Sequence, residues 1–255
     1  QNAYNSLYHN ELYCCDWDMF WTSHPDAGKH SLLRAVSGGP VYVSDKVGDT
    51  DPEVLKPLIY HNGELLMMDR SARPTDDCVF ANPLTDGVLK LHNVASYGGS
   101  RKGGGFAVYN LTGQTQTFSF SPKEIPDLET ADVYCLYDYF GKKATFLERE
   151  KTYDGSLEKN GCGWFVLLPC GKNGAFLGLL DKYAGFMAVE SIWESENTSV
   201  AILRESGPLG WCSAKKPSRI SLNSEDVTDQ VIEQNGVFLL SLPEKAGKAV
   251  LCIEY

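Results

Sequence analysis

The second part of the sequence constrains the fold most, because its pattern changes near residue 85. From there on, short apolar runs recur roughly ten residues apart, with Gly, Pro, Asn and Asp between them. This spacing is typical of an antiparallel β-sandwich. The runs are VLKLHN, GFAVYNL, TFSFS, DVYCLY, WFVLLP, AFLGLL, SVAIL, RISL, GVFLLSL and AVLCIEY. We therefore predict that residues 85–255 form an antiparallel β-sandwich domain.

Residues 1–84 show helix signals that the later part lacks. Apolar residues at helical spacing over residues 1–13 predict an amphipathic helix. Pro25 is placed to open a second helix, and Gly38 follows its apolar face as a C-terminal stop. Residues 51–59 begin like a third helix, which Pro57 ends or bends.

Two strand signals alternate with these helices. They are the apolar run CCDWDMF at residues 14–20 and the β-branched run PVYVS at residues 40–44. Strands of an α/β domain are stable when neighbouring strands flank them and helices cover both faces. Two helix–strand units cannot provide this, so we expect residues 1–84 to be the last part of a larger α/β domain, and the chain to be one part of a longer protein.

The composition argues against two classes of partner. The chain has 33 acidic and 23 basic residues and a net charge of −10, whereas nucleic acids and anionic membranes require clustered Lys and Arg. The basic run at residues 100–102 lies inside GGSRKGGG and is predicted to be a flexible loop. No apolar run approaches the roughly 18 residues that a membrane helix needs.

The eight cysteines are scattered and form no C-x-x-C pair, which argues against a zinc site. We expect buried free thiols in a reducing compartment, and hence a cytoplasmic protein. Neither His24 nor His30 has a partner at metal-ligand spacing, and the glycines at residues 103–105 lack the pattern of a phosphate loop. No nucleophile-elbow pattern G-x-S-x-G occurs. No cofactor is expected.

Three motifs in order carry a resemblance to a known family. They are the stretch of residues 16–48, which begins with DWDMF, the motif SGGPVYVSD within that stretch, and ARPTDDCVFANPLTDG at residues 72–87. The sequence resembles the family of raffinose synthases, seed imbibition proteins and alkaline α-galactosidases, a branch of glycoside hydrolase family 36. The resemblance is strong over residues 1–115. After residue 115 it is weaker and rests only on the pattern of the predicted sandwich.

The resemblance implies a (β/α)8 TIM barrel followed by a β-sandwich, and retaining chemistry on α-galactosides. Residues 1–13 would be the helix after barrel strand six, and residues 14–20 and 40–45 would be strands seven and eight. The family's nucleophile, on strand four, and its acid/base aspartate, after strand six, would both lie upstream of Gln1. The expected partners are an α-galactoside or oligosaccharide substrate and the upstream barrel segment. The chain alone is expected to be inactive.

Asp16 and Asp18 are the first candidates for a carbohydrate site, since paired carboxylates are the working groups of glycosidases. On a strand, residues i and i+2 project to the same face, about 6–7 Å apart. Retaining enzymes instead flank the bond with carboxylates from opposite sides of the sugar ring. We therefore favour binding of a sugar hydroxyl, or support of the site, over catalysis.

Trp17, Trp21 and Asp45 complete the predicted substrate-binding set. Trp17 lies on the other face of the strand and is expected to pack, with sugar stacking as the alternative. Trp21 follows in a loop and is the better stacking candidate, because loops at the carboxyl ends of barrel strands build the site. Asp45 could contact substrate or could form a turn or a helix cap.

Arg73, Asp76 and Asp77 are predicted to form an ion-pair lock between barrel and sandwich. The pattern of the family that the sequence resembles has a basic residue where Asp76 stands, and this departure leaves the role of Asp76 open. A structural role is favoured for the group.

Two readings of function remain. The chain is the C-terminal part of an α-galactoside hydrolase or of a galactosyltransferase of the same family. Alternatively, it is a non-catalytic carbohydrate-binding or scaffold module.

Overall fold

The computed structural model describes residues 1–255. Its α-helices are α1 (Asn2–His9), α2 (Ala27–Ser37) and the short α3 (Pro52–Leu55), which a 3-10 turn at Lys56–Leu58 continues. The three predicted helices are confirmed, each shorter than its sequence pattern. None of them is long and apolar enough to cross a membrane.

Glycine ends α2 for a geometric reason. Gly38 adopts a left-handed conformation with φ of 64°, which glycine adopts without steric cost. A Cβ atom at this position would also meet the backbone of Arg70. The prediction that glycine stops this helix is therefore confirmed.

The two strands predicted in residues 1–84 are not regular strands, and this expectation was wrong. Residues 14–19 have no regular secondary structure. A single parallel bridge joins Phe20 to Val43, supported by a 3.0 Å hydrogen bond from Ser44 N to Phe20 O. Asp18 has a φ of 72°, and this left-handed residue turns the backbone out of the extended path that a strand requires. The barrel itself remains a prediction.

The rest of the chain is almost entirely antiparallel β structure. Its strands are β1 (Arg73–Pro74), β2 (Leu89–Tyr97), β3 (Arg101–Tyr109), β4 (Gln116–Phe120), β5 (Val133–Asp138), β6 (Lys143–Glu148), β7 (Tyr153–Leu157), β8 (Cys162–Pro169), β9 (Ala175–Leu179), β10 (Val189–Glu194), β11 (Thr198–Cys212), β12 (Arg219–Leu222), β13 (Glu225–Asp226), β14 (Val231–Gln234) and β15 (Val237–Glu254). The mostly-β prediction for residues 85–255 is confirmed. The last two predicted runs form one long strand, β15.

These strands form three sheets. The first has the order β1-β2-β3-β8-β5-β6 and the second the order β10-β11-β15-β12-β13, with β14 beside β15 and β9 beside β11. A two-stranded sheet pairs β4 with β7. Every strand pair is antiparallel, so neighbouring strands need only short connections. The sandwich arrangement of the sheets remains a prediction.

The glycine-rich run at residues 98–105, predicted as a flexible loop, is a turn only at residues 98–100, and its residues 101–105 belong to β3. Gly104 and Gly105 lie where a Cβ atom would collide with the backbone of Asn93 and of Phe165 on the neighbouring strands. Glycine here permits close approach of strands rather than flexibility.

The expectation of free thiols is wrong for two cysteines. Cys135 of β5 and Cys212 of β11 form a disulfide that joins the first sheet to the second. The other six cysteines are free. The pairing could not be read from the sequence because these residues lie 77 positions apart. The cytoplasmic location remains a prediction.

Residues 1–84 pack on the β structure through a shared core. One cluster of 49 buried residues includes Leu32, Val36 and Leu58 from the front and Trp164 and Trp211 from the sheets. A second cluster of 12 lies wholly within the later part, between Val94 and Leu167. The division at residues 84 and 85 remains a prediction, but the two parts are in intimate contact.

Candidate functional site

A cleft of about 660 Å³ lies where the front of the chain meets the first sheet. Its walls are the first residues of α1, residues 17–21, the side chains of His30 and Arg34 on α2, and part of β2 and β3. Of the five predicted substrate-binding residues, Trp17, Asp18 and Trp21 line this cleft. Asp16 and Asp45 do not.

Asp16 has both carboxylate oxygens engaged by the protein itself. Its Oδ1 accepts a 2.7 Å hydrogen bond from the Asp18 backbone N, and its Oδ2 accepts a 2.6 Å bond from the Tyr42 hydroxyl. The hydrogen bond to Asp16 raises the pKa of Tyr42, because it favours the neutral phenol that donates it. Asp16 therefore builds the turn and links it to residue 42.

Asp18 differs from Asp16 although both are exposed. Its Oδ1 accepts a 2.8 Å hydrogen bond from the Met19 backbone N, and its Oδ2 accepts none from the protein. The expected side-by-side projection of the two carboxylates is not formed, since it required a regular strand. The left-handed backbone at Asp18 instead separates their roles. Of the two carboxylates, only that of Asp18 lines the cleft, and its Oδ2 is free to accept a hydrogen bond.

The two tryptophans are placed in opposite environments. Trp17 is 3% exposed, and its indole Nε1–H donates a 2.9 Å hydrogen bond to Ser6 Oγ of α1. Trp21 is 56% exposed at the cleft. Trp17 thus packs, as its position in the sequence indicated, and only Trp21 has a ring face available to a ligand.

Asp45 joins two loops. Its carboxylate accepts hydrogen bonds of 2.8 Å from both the backbone N and the hydroxyl of buried Thr22. The same Thr22 hydroxyl accepts a 2.8 Å bond from the backbone N of Asp51, the N-cap residue of α3. Of the alternatives raised for Asp45, this geometry favours the structural one.

Arg34 is the cleft residue that reasoning from the sequence missed. It is 8% exposed, and its guanidinium donates to the carbonyl oxygens of Asp18 and Met19 and lies 5.1 Å from the ring centroid of Phe20. No carboxylate forms an ion pair with it, and burial lowers its pKa. The available signal was an arginine within the apolar face of a helix, next to Leu33.

Two histidines lie beside Arg34 at the cleft. The rings of His24 and His30 stack with centroids 4.9 Å apart, and His24 Nδ1 accepts a 3.0 Å hydrogen bond from the Asp26 backbone N. Burial, with a smaller effect from the Arg34 charge, lowers the pKa of His30. No group of three or more His, Cys, Asp or Glu side chains is arranged to hold a metal ion.

The predicted lock around residues 73–77 forms with other partners. Arg73 pairs with Glu11 at 2.8 Å, just after α1. Asp77 pairs with the buried Lys90 of β2 at 2.8 Å. Asp76 is exposed and forms no ion pair. The three residues therefore do not pair with one another, because partners distant in sequence lie closer.

Comparison with known proteins adds to this geometry. Residues 1–120 match the family model described as raffinose synthase or seed imbibition protein Sip1. A galactinol–sucrose galactosyltransferase of Oryza sativa subsp. japonica is 38% identical over 99% of this chain and 36% of its own length. A stachyose synthase of Pisum sativum is 43% identical over 38% of this chain and 12% of its own length. An α-galactosidase structure from Saccharomyces cerevisiae gives a TM-score of 0.43 at 10% identity, over 60% of this chain and 47% of that chain.

The matched relatives carry the names of galactosyltransferases that use galactinol and sucrose, and of a stachyose synthase. The chain belongs to the raffinose synthase family. It spans about a third of the length of the first relatives that it matches, 36% of the rice protein.

Proposed function

We propose that this chain is the C-terminal, substrate-holding part of a retaining enzyme that acts on α-galactosides. The observation that carries the proposal is that one carboxylate, Asp18, lines the cleft, beside the exposed ring of Trp21. Retaining chemistry needs two carboxyl groups roughly 5–5.5 Å apart, one on each side of the bond. A single carboxylate cannot supply both groups, and we assign the nucleophile and the acid/base aspartate to a barrel segment of the same enzyme outside these 255 residues.

The cleft can hold a sugar by two complementary contacts. The free Oδ2 of Asp18 is an acceptor for a galactose hydroxyl, and a hydrogen bond to a charged group of this kind is strong. The ring of Trp21 offers an apolar face against which the C–H side of a sugar ring packs. Asp16 supports these contacts by fixing the turn at Asp18, and Asp45 supports them by fixing the loop that carries Thr22.

We favour galactosyl transfer over hydrolysis. The relatives are named for galactinol as the donor and sucrose as the acceptor. In either reaction a carboxylate attacks the anomeric carbon and forms a galactosyl-enzyme intermediate, while the acid/base carboxyl group gives its proton to the departing oxygen. In transfer a hydroxyl of sucrose then attacks the anomeric carbon, the bond to the carboxylate nucleophile breaks, and the hydroxyl proton passes to the acid/base carboxylate. In hydrolysis water takes the place of sucrose.

A chimera tests the proposal. The matching C-terminal third of the rice relative is replaced by this chain, and the products from galactinol and sucrose are separated by chromatography. We expect raffinose from the chimera and no turnover by the 255-residue chain alone.

Galactose without a transfer product would establish hydrolysis instead. Turnover of an aryl α-galactoside by the isolated chain, abolished in Asp16→Asn or Asp18→Asn, would show that the catalytic carboxylates were misplaced. A folded chimera that turns over neither substrate would contradict the proposal.

A further inference from the structure

The backbone at Asp18 adopts a left-handed conformation. Its φ of 72° lies in a region that most side chains with a Cβ atom avoid and that Asp adopts when its side chain forms a local hydrogen bond. Such a conformation persists only where the surroundings determine it, and such residues concentrate at functional sites. Two hydrogen bonds inside the turn contribute, from Asp18 N to Asp16 Oδ1 and from Met19 N to Asp18 Oδ1.

Three further hydrogen bonds to this turn come from Arg34 on α2. Its Nε and Nη2 donate to the Asp18 carbonyl at 3.2 and 3.1 Å, and Nη2 also donates to the Met19 carbonyl at 2.9 Å. The guanidinium therefore binds two successive carbonyl groups, that of the left-handed residue and that of the residue after it. The planar guanidinium of arginine holds several N–H donors in a fixed arrangement, which suits two carbonyl acceptors. The ammonium group of lysine is a compact point charge without that arrangement.

The placement of Arg34 is costly by itself. It is nearly buried, no carboxylate forms an ion pair with it, and an uncompensated buried charge is unfavourable. Its charge is met by carbonyl dipoles, including a 3.4 Å contact with His30 O, and by the ring of Phe20. An apolar residue at this position would complete the buried face of α2 without that cost.

We infer that Arg34 is a positioning residue, which fixes the Asp18–Met19 turn so that the Asp18 carboxylate faces the cleft and accepts a hydroxyl of an α-galactoside. The identity of the ligand rests on the proposed function. In this assignment Arg34, whose side chain is part of the cleft wall, acts on the sugar through Asp18. Its effect on binding therefore depends on the presence of the Asp18 side chain.

A double-mutant cycle isolates this dependence. Methyl α-D-galactopyranoside is titrated into the wild-type chain and into Arg34→Met, Arg34→Lys, Asp18→Ala and the double variant Arg34→Met/Asp18→Ala, followed by amide NMR spectra. We expect Asp18→Ala and Arg34→Met each to weaken binding at least tenfold, and the double variant to bind no more weakly than Asp18→Ala. Arg34→Lys is expected to lie between wild type and Arg34→Met.

Two controls separate positioning from general loss of structure. Amide shifts in the Arg34 variants are expected to be confined to Asp18, Met19 and their neighbours. Arg149→Gln, which removes an arginine from the surface after β6, should leave affinity unchanged.

The outcomes are distinguishable. Absence of binding by the wild-type chain overturns the cleft as an α-galactoside site, and the inference with it. Wild-type affinity in a folded Arg34→Met or Arg34→Lys variant overturns the inference alone. A loss of affinity on substitution of Arg34 that is equally large with and without the Asp18 side chain also overturns the inference alone. If Arg34→Met does not fold, the same cycle with Arg34→Lys decides the question.

Discussion

The Tyr42 hydroxyl donates a 2.6 Å hydrogen bond to Asp16 Oδ2, across two segments joined by a single parallel bridge. This bond uses the oxygen of Asp16 that the turn at Asp18 leaves free. The pair of carboxylates in DWDMF is thereby divided into a structural member and a member that faces the cleft.

The pKa of Tyr42 should report this bond. The Asp16 hydrogen bond raises it, so Asp16→Ala should lower the pKa of Tyr42 toward the ordinary tyrosine value. The bond favours the folded state below the ordinary tyrosine pKa of about 10 and is lost as the pH rises through the raised value. NMR titration of ring-labelled tyrosine measures the shift. The smaller charge effect of Asp18 predicts a smaller change in Asp18→Ala, and an unchanged value in Asp16→Ala would contradict the assignment.

The two cleft tryptophans should separate stability from binding. Trp17→Ala removes a buried side chain and should cost about 3–5 kcal/mol of unfolding free energy. Trp21→Ala removes an exposed ring and should change stability by less than about 0.5 kcal/mol while weakening binding of an α-galactoside. Urea denaturation and sugar titration of both variants test this. The reverse pattern would show that Trp17 is the stacking residue.

Asp45 should matter for stability rather than for sugar affinity. Asp45→Ala leaves the backbone N and the hydroxyl of buried Thr22 without their acceptor, which should cost about 1–3 kcal/mol. The matched control is Asp49→Ala, whose side chain is 59% exposed. Thermal denaturation compares the two. A wild-type melting temperature with lost sugar binding would return Asp45 to the binding set.

His92 should make stability depend on pH. Burial, with a smaller contribution from Arg73, lowers its pKa from 6.5 to about 4. The unfolded chain binds this proton first as the pH falls, so stability is full above pH 6.5 and is lost progressively down to about 4. The loss is roughly 3 kcal/mol from this group.

His92→Gln should remove that share of the acid sensitivity, and His61→Gln, at an exposed position, should not. Urea midpoints measured at several pH values between 7 and 4 give the comparison. Parallel curves for wild type and His92→Gln would refute the assignment.

Limited proteolysis should test the division of the chain. The strands after residue 85 contain a buried cluster of their own, whereas the core residues of the front pack against the sheets. We expect the first cuts between Gly63 and Gly87 and a resistant C-terminal piece, identified by mass spectrometry. Equal resistance of the front half would show that residues 1–84 are no less stable than the sheets on which they pack.

The sequence by itself determined the elements whose signals are local. Apolar runs between turn residues predicted most of the strands from β2 onward, and Gly38 marked the end of α2, because each signal depends on residues only a few positions away. The more polar strands β6, β7, β10, β13 and β14 were not among the predicted runs. The tertiary structure decided what distant residues do to one another. The conformation of Asp18 depends on a guanidinium sixteen residues later in the chain, and Tyr42 binds the second oxygen of Asp16. Glycine is required in β3 because the neighbouring strands leave no room for a Cβ atom there. A left-handed backbone, a buried charge and a close approach of strands are stable only when particular partners surround them, and folding alone brings those partners together.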